Sequence, residues 1–385
     1  MSARRIPLGF IGGGPRSLIG GVHRAAVMLS GEFELRAGVF GTDQARGRAF
    51  AERIGVAAGR SYADLEEMLA GESRRAPGER IEVVSVLTPN HLHFPMVDRL
   101  LDAGLHVFCE KPLSLSVVEA LALERKAVTR GCQVGVAHTY TGYPMVRQMR
   151  ALIAGGAIGA VQKIDVQYYQ GWINPAMHDA ALRDEVWRLD PARSGPSCCI
   201  GDIGVHAFDL VEYATGLRIR RVLAELDSFG PGKALDVDGT VLFHTDNGVR
   251  GLLRASQIAT GEENNLRIAV YGRSGALRWC QEQAAELLQL RENGPRQLYT
   301  PGHGFNTELA RMASQLPPGH PQGLAEAMAN LYRGFADGLR GIPGADTRYR
   351  DIGAGVRGMR FIEAALASSR DGSKWTDIER VQGQA

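Results

Sequence analysis

The first third of the chain alternates short apolar runs with stretches of helical character, and this alternation restricts the fold more than any other feature. The run Ile81–Leu87 is apolar almost throughout, which is typical of a parallel strand buried on both faces. Similar runs occur at Ile6–Ile11, Phe33–Phe40, His106–Cys109 and Cys132–Ala137. Strands that alternate with helices indicate an α/β fold with a doubly wound parallel sheet, which we assign to residues 1–138.

A glycine turn follows the first of these runs. It comprises residues 12–17 and precedes a helical stretch that begins near Leu18. In this context Gly12 permits a tight turn, and Gly14 lets the backbone approach a pyrophosphate at the helix N-terminus. Ser17 stands where the usual pattern has a third glycine, which is expected to loosen the helix–strand packing slightly. A plain turn is nearly as common an explanation, but the context predicts dinucleotide contacts from Gly12, Gly14, Pro15, Arg16 and Ser17.

The end of the second strand bears on the choice of cofactor. An acidic residue at this point usually binds the ribose hydroxyls of NAD, but here the chain has Gly41. Thr42 and Arg46 are suited to a 2′-phosphate instead. Asp43 either reaches the ribose or caps the next helix. The sequence therefore favours NADP slightly over NAD.

Glu110-Lys111-Pro112 directly follows the buried run His106–Cys109. Ligands of α/β sheets bind at the carboxyl ends of the strands, so Lys111 stands where a ligand is expected. The Lys111–Pro112 bond is a candidate for the cis form. Taken alone, such a tripeptide is more often a surface turn, so its meaning depends on the motifs around it.

The periodicity changes after about His138. Alternating apolar residues at 164–168, 249–255 and 266–270 indicate half-buried strands of a mostly antiparallel sheet. Further helices are predicted at Met145–Ala154, Asp202–Ala214, Gly323–Leu339 and Asp351–Ala367. We assign residues 139–385 to a second, α+β domain with a large open sheet, from which the C-terminal helices are free to pack back on the first domain. An uncovered sheet face is a natural surface for oligomer formation.

Asp202 and His206 are four residues apart within a predicted helix, so they share one face. A histidine with a nearby carboxylate is suited to taking a proton from an alcohol. The alternative is that Asp202 caps the helix and His206 is a satisfied, partly buried histidine. No third residue that could bind a metal lies at a spacing typical of metal ligands, so we predict no metal site.

Composition excludes several classes of protein. The chain has 385 residues and a net charge of +2 without a basic run, which argues against a nucleic-acid partner. No apolar stretch is long enough to span a bilayer, and the N-terminus lacks the apolar core of a signal peptide. The five cysteines include no Cys-x-x-Cys motif and fit a reducing compartment. We therefore expect a cytoplasmic protein.

The glycine turn, Thr88-Pro89-Asn90 with His93, the Glu-Lys-Pro tripeptide and the Asp202/His206 pair occur in an order and spacing that resemble the Gfo/Idh/MocA family of oxidoreductases. The resemblance covers almost the whole chain. It implies a Rossmann domain followed by an α/β domain on an open sheet, through which members form homodimers or homotetramers. It also implies an NAD(P)-dependent dehydrogenase or reductase of a sugar, glycoside or cyclitol such as an inositol.

The resemblance further implies roles for single residues. Lys111 is similar to the family's lysine between nicotinamide and substrate, and Asp202 and His206 to its proton-handling pair. Glu110 corresponds to a ribose contact, and Thr88, Pro89, Asn90 and His93 to the stretch along the nicotinamide. The candidate substrate contacts are Lys111, Tyr140, Trp172, Arg188, Asp202 and His206, with core packing an equal alternative for the aromatic residues.

Two other functions remain open at this stage. The first is an enzyme of the same fold that retains its NAD and recycles it while processing a sugar or glycoside. The second is a non-catalytic module that senses a nucleotide or sugar. The presence of Lys111, Asp202 and His206 argues against the second, because a sensor needs no acid–base pair.

Overall fold

A computed structural model describes residues 4–229 and 235–380 of the chain, which form two compact units. The N-terminal unit comprises the described residues up to Ser114 together with Glu119–Gly142 and Leu324–Gly355. The C-terminal unit comprises Leu115–Val118, Tyr143–Gly323 and the described residues from Val356 onward. The units therefore do not follow a single cut at residue 138.

The N-terminal unit is built on a six-stranded sheet in the order β14-β5-β4-β3-β1-β2. Strands β1 to β5 are parallel, and the short β14 pairs antiparallel with β5 at one edge. Every residue of β3 is buried, as expected of a parallel strand covered on both faces. The strands are β1 Ile6–Gly12, β2 Phe33–Val39, β3 Val83–Leu87, β4 His106–Cys109, β5 Val134–Val136 and β14 Arg350–Asp351.

Six helices complete this unit: α1 Leu18–Ser30, α2 Gln44–Arg53, α3 Leu65–Ser73, α4 His93–Asp102, α5 Val117–Arg130 and α12 Leu324–Leu339. The last of them comes from the far end of the chain. Tyr332 and Phe335 of α12 are fully buried in the same apolar cluster as Phe10 and Phe108. This packing is the reason that residues 324–355 belong to the N-terminal unit and not to a continuous second domain.

The C-terminal unit is built on a nine-stranded sheet in the order β13-β12-β11-β10-β6-β9-β8-β7-β15. All neighbours are antiparallel except β6 and β9, which run parallel. Burial alternates along β8, so one face of the sheet is covered and the other is more exposed. The strands are β6 Val161–Tyr169, β7 Ile219–Asp227, β8 Asp238–Thr245, β9 Arg250–Ser256, β10 Asn265–Gly272, β11 Gly275–Cys280, β12 Leu287–Arg291, β13 Gln297–Tyr299 and β15 Thr376–Asp377.

The helices of this unit are α6 Pro144–Ala154, α7 Asn174–His178, α8 Ala180–Glu185, α9 Pro191–Ser194, α10 Val205–Thr215, α11 Glu308–Ala313 and α13 Ile352–Arg370, which begins in the N-terminal unit. A parallel sheet followed by a mostly antiparallel one confirms the predicted fold class. One predicted helix differs: the stretch expected from Asp202 begins as a π-helical turn, Ile200–Gly204, before α10.

Candidate active site

The glycine turn joins β1 to α1. Gly12 has a φ of +85°, and a Cβ on Gly14 would lie 2.2 Å from the carbonyl oxygen of Phe40. Ser17 caps α1, because its hydroxyl accepts a hydrogen bond from the Gly20 N–H at 3.0 Å. A turn with no room for larger side chains therefore leads directly to the positive end of a helix, which suits a pyrophosphate.

Gly20 is the glycine that lets α1 pack closely against this turn. A Cβ there would lie 2.4 Å from the Cα of Gly13. The slight loosening expected from Ser17 stays a prediction, while residue 20, one helical turn further along the same face, supplies a close approach to the turn. The motif spacing alone gave no sign of this glycine.

A cavity of about 360 Å³ adjoins the turn and is rich in arginine. Its lining residues are Pro15, Arg16, Arg46, Ala49, Phe50 and Arg53. Within residues 4–229 and 235–380, Arg16, Arg46 and Arg53 form no ion pair. The guanidinium of Arg53 lies 5.2 Å from the centre of the Phe50 ring. Arginines held together without carboxylates favour an anionic ligand.

Asp43 was predicted either to reach the ribose or to cap the next helix, and its contacts show the cap. Asp43 caps α2, because its carboxylate accepts a hydrogen bond from the Arg46 N–H at 3.0 Å. Thr42 is exposed just before it, at the end of β2. Of the residues that line this cavity, the sequence predicted Pro15, Arg16 and Arg46 but missed Phe50 and Arg53, which lie further along α2.

The remaining predicted cofactor residues of this unit lie in the segments that follow the carboxyl ends of its parallel strands. Gly12 pairs with Leu87 and Val86 pairs with Cys109, so the segments that follow β1, β3 and β4 are neighbours. Thr88 and Pro89 precede a 3₁₀ turn, Asn90–Leu92, in the second of these segments. Lys111 is in the third, and its bond to Pro112 is cis.

His93 is fully buried at the start of α4. Its Nδ1 lies 2.6 Å from the Pro112 carbonyl oxygen and its Nε2 lies 2.9 Å from the Thr88 carbonyl oxygen. Burial lowers the pKa of His93, although both carbonyl groups act in the opposite direction. Both ring nitrogens therefore face backbone carbonyls and the ring ties two loops together, while a cofactor contact of His93 stays a prediction.

Glu110, the residue before Lys111, is held by a second buried histidine, His23. The Oε1 atom of Glu110 lies 2.9 Å from Nε2 of His23, and its Oε2 accepts the Lys111 N–H at 3.1 Å. Burial alone would raise the pKa of Glu110, but the hydrogen bond from His23 and the charge of Lys111 hold it below its ordinary value. Glu110 is thus a carboxylate anchored beside the lysine.

In the C-terminal unit, Asp202 lies in the π-helical turn that leads into α10, and His206 is the second residue of α10. The amides at this helix start are taken by other side chains. Asp236 accepts from the N–H groups of Cys198 at 3.1 Å and Ile200 at 2.7 Å, and Ser197 accepts from Gly201. The alternative that Asp202 caps the helix is therefore wrong. Single-turn π-helices recur at functional sites.

Two side chains approach the Oδ2 atom of the Asp202 carboxylate. Gln257 Nε2 donates to it at 2.9 Å, and Arg188 Nε lies 3.0 Å away. Gln257 follows β9 and is fully buried, and no motif in the sequence pointed to it. Such contacts restrict the carboxylate to one orientation.

Arg188 also stacks on aromatic rings. Its guanidinium lies 4.5 Å from the ring centre of Trp187 and 5.8 Å from that of Trp172. The structure thus brings together Asp202, Arg188 and Trp172 among the predicted substrate residues. Trp172 is 44% exposed, so part of its side chain is accessible to a ligand.

His206 and Tyr140 are both largely buried. His206 is 9% exposed, and its ring centre lies 6.3 Å from that of Tyr168. Tyr140 belongs to the N-terminal unit, in the 3₁₀ turn Thr139–Gly142, and is 7% exposed. Among the described residues, no group of three or more histidine, cysteine or acidic side chains is placed to hold a metal ion.

Comparison with known proteins identifies the family that the chain matches. Residues 6–138 match the oxidoreductase family with an NAD-binding Rossmann fold, and residues 146–278 match the GFO/IDH/MocA C-terminal domain. The chain is 33% identical to the uncharacterized oxidoreductase YfiI of Bacillus subtilis over 378 residues, which is 96% of each chain. It is 26% identical over 331 residues to levoglucosan dehydrogenase of Pseudarthrobacter phenanthrenivorans, across 78% of this chain and 81% of that protein.

A solved structure is similar over nearly the full length. The inositol dehydrogenase homolog of Azotobacter vinelandii complexed with NAD⁺ is 35% identical, with a TM-score of 0.91 over 97% of this chain and 98% of that one. The same protein complexed with NADH and myo-inositol gives a TM-score of 0.89. In the part of the chain that the structure describes, none of the helices combines the length and apolarity that a membrane crossing requires.

Proposed function

This chain belongs to the Gfo/Idh/MocA family of oxidoreductases, and from that premise we propose that it transfers a hydride between a nicotinamide cofactor and a ring hydroxyl or ketone of a sugar, glycoside or cyclitol. The observation that carries the proposal is the environment of Asp202. Asp236 and Ser197 accept hydrogen bonds from the N–H groups at the start of this helix, so the carboxylate of Asp202 is not used as the cap. Asp202 lies one turn before His206. The relatives support the substrate class, since one acts on levoglucosan by its name and another is complexed with myo-inositol.

The N-terminal unit offers residues that fit the cofactor. The close turn at Gly12 and Gly14 and the capped start of α1 would hold the pyrophosphate, and Glu110 would contact a ribose. Thr88, Pro89 and Asn90 would lie along the nicotinamide side. When bound, the nicotinamide group supplies or accepts the hydride.

The chain's own residues handle the proton and the developing charge. His206 accepts the proton of the hydroxyl during oxidation and returns it during reduction. Asp202 stabilises the positive charge that His206 then carries. The ammonium group of Lys111 binds the reacting oxygen and stabilises it as negative charge develops.

We propose NADP as the slightly preferred cofactor. Arg16, Arg46 and Arg53 surround the cavity beside the glycine turn, where a 2′-phosphate would form charge-assisted hydrogen bonds. Gly41 offers no carboxylate to select against that phosphate. The carboxylate of Asp43 is engaged with the Arg46 N–H.

Substrate contacts are also proposed for two aromatic residues and for Arg188. Trp172 is partly exposed and is suited to packing against a sugar, and Arg188 is suited to hydrogen bonds with hydroxyl groups. Tyr140 is a weaker proposal because so little of it is exposed.

We further propose that the chain forms a homodimer or homotetramer through the more exposed face of the nine-stranded sheet. A depression of about 710 Å³ on this sheet is lined by residues such as Tyr271, Arg278, Leu288 and Leu298. Leu298 is half exposed, as an interface residue would be in an isolated chain. Light scattering on the purified protein tests this, since a monomer at micromolar concentration would contradict it.

The activity is tested by variants of the proposed acid–base pair. We expect His206→Ala and Lys111→Gln to lower turnover by about 10²–10⁴, assayed by nicotinamide absorbance against a panel of cyclitols, sugars and glycosides. Cofactor affinity, measured by tryptophan fluorescence, should remain near that of the wild type. The exposed His178 provides a matched control, since His178→Ala should leave turnover unchanged. Near-normal turnover in His206→Ala would remove the base from the proposal.

A further inference from the structure

Four side chains form a continuous hydrogen-bonded chain through the interior of the N-terminal unit. Ser85 of β3 bonds Tyr332 of α12 at 2.8 Å, and Tyr332 bonds His23 Nδ1 at 2.7 Å. Nε2 of His23, a residue of α1, bonds Glu110 at 2.9 Å. Ser85, Tyr332 and His23 are fully buried. Three separate segments of the chain are therefore linked to the carboxylate that precedes Lys111.

One arrangement of protons satisfies every member of this chain. An ionised Glu110 accepts, so His23 Nε2–H donates to it and Nδ1 of the same ring accepts from the Tyr332 hydroxyl. The Tyr332 oxygen then accepts from the Ser85 hydroxyl. Burial raises the pKa of Tyr332, which keeps its hydroxyl protonated as this arrangement requires.

The surroundings of His23 leave it little freedom. Its ring makes edge contacts with Phe10 and Phe108, whose centres lie 6.5 Å and 6.1 Å away. An imidazole packed among aromatic rings gains no hydrogen bond from water, so loss of its bond to Glu110 would leave a partly buried carboxylate poorly compensated.

The segment of Glu110, Lys111 and Pro112 is thus gripped at both ends by buried histidines. His23 holds the carboxylate at one end, and His93 lies against the Pro112 carbonyl at the other. Lys111 lies between the two, and its own N–H donates to Glu110. The position of the lysine therefore depends on both rings.

We propose that His23 is a positioning residue that fixes the Glu110 carboxylate and thereby sets the affinity for the nicotinamide dinucleotide. This inference rests on the proposed function, in which Glu110 contacts a ribose of the cofactor. Hydrogen bonds to a charged group contribute more than those between neutral groups, so the effect should be measurable in binding alone.

The test compares two amides at position 23 in the full-length protein. The amide of glutamine reaches the place of Nε2 and can still donate to Glu110, whereas that of asparagine reaches only the place of Nδ1, next to Tyr332. We expect His23→Asn to raise the Kd for the cofactor by about tenfold or more and His23→Gln to stay within about threefold of the wild type. Binding is measured by tryptophan fluorescence, and thermal midpoints confirm folding.

A double-mutant cycle identifies the route of the effect. If His23 acts through Glu110, the change caused by His23→Asn should disappear in a Glu110→Gln background. Tyr332→Phe, expected to weaken binding by about threefold, takes the place of His23→Asn in the same cycle if the latter does not fold.

Two results would overturn the inference. One is an unchanged Kd in both position 23 variants. The other is an equal loss of affinity in both, with matching losses of thermal stability, because that outcome assigns His23 to packing. If the wild type binds neither NAD nor NADP, the proposed function itself fails, and this result is distinct from the other two.

Discussion

Replacement of Gln257 by leucine isolates the contribution of one buried amide to the proposed acid–base pair. Gln257 is fully buried and donates to Asp202 Oδ2 at 2.9 Å. Removal of a hydrogen bond to a charged group costs about 1.5–3 kcal/mol, and each 1.4 kcal/mol corresponds to about tenfold in rate. Because Arg188 remains on the same oxygen, we expect the lower end of this range: a fall of about tenfold in kcat/KM.

Gln289 provides a matched control in the same unit. It is also a fully buried glutamine, and it donates to the Ala157 carbonyl at 3.2 Å and accepts from the Tyr299 hydroxyl at 2.9 Å. Gln289→Leu should lower the free energy of unfolding by a similar amount, about 1–3 kcal/mol, and leave kcat/KM unchanged.

The assay follows nicotinamide absorbance with the substrate that gives the highest turnover, alongside urea unfolding of both variants. A wild-type kcat/KM in Gln257→Leu would refute the positioning of Asp202 by Gln257. Equal losses of activity in the two variants would refute it as well, because the effect would then follow stability.

Three further predictions concern packing, charge and specificity. Gly20→Ala should lower the thermal midpoint, because the added Cβ would lie 2.4 Å from the glycine turn. Gly21→Ala is the control: its Cβ would meet only the tip of an arginine at 3.8 Å, so it should raise stability by about 0.5–1 kcal/mol. Equal thermal midpoints of the two variants would contradict the close-packing role of Gly20. Burial raises the pKa of Glu363 above its ordinary value of 4.5. The stability that Glu363 contributes to the folded state is therefore present at low pH and is lost as pH rises through the folded-state pKa. Glu363→Gln, which keeps an acceptor for the backbone N–H at the start of α5, should therefore raise the urea midpoint at neutral pH and leave it unchanged near about pH 3. Arg53→Gln should weaken NADP binding by about 3- to 10-fold with NAD unaffected, while Arg48→Gln, outside the cavity, should change neither; equal effects on both cofactors would argue against a phosphate contact.

The features that could be predicted from the sequence are those that depend on a short stretch of chain. The glycine turn, the strand that precedes Lys111 and the cis bond to Pro112 each depend on adjacent residues and on general rules of strand and turn geometry. The spacing of Asp202 and His206 was also local, although the π-helical turn between them was not, because it depends on capping by Asp236.

The features that the sequence concealed are contacts between distant segments. Gln257 is 55 residues from Asp202, and His23 is 87 residues from Glu110. An isolated buried histidine or glutamine has no pattern that identifies its partner. His93 is a related case, since its place in a motif predicts a ligand contact but gives no sign of the two backbone carbonyls that its ring nitrogens face.

The return of α12 to the N-terminal unit has a consequence for biosynthesis. Tyr332 and Phe335 complete the apolar interior around β1 and β4, yet they are synthesised only after almost the whole of the other unit has left the ribosome. A nascent chain that ends at residue 142 therefore presents uncovered Phe10 and Phe108, surfaces that chaperones bind. We expect arrested chains of that length to be cleaved readily by protease, and chains that extend beyond residue 355 to resist. In this enzyme the unit that is synthesised first is completed late, so we expect the proposed cofactor site to form near the end of translation.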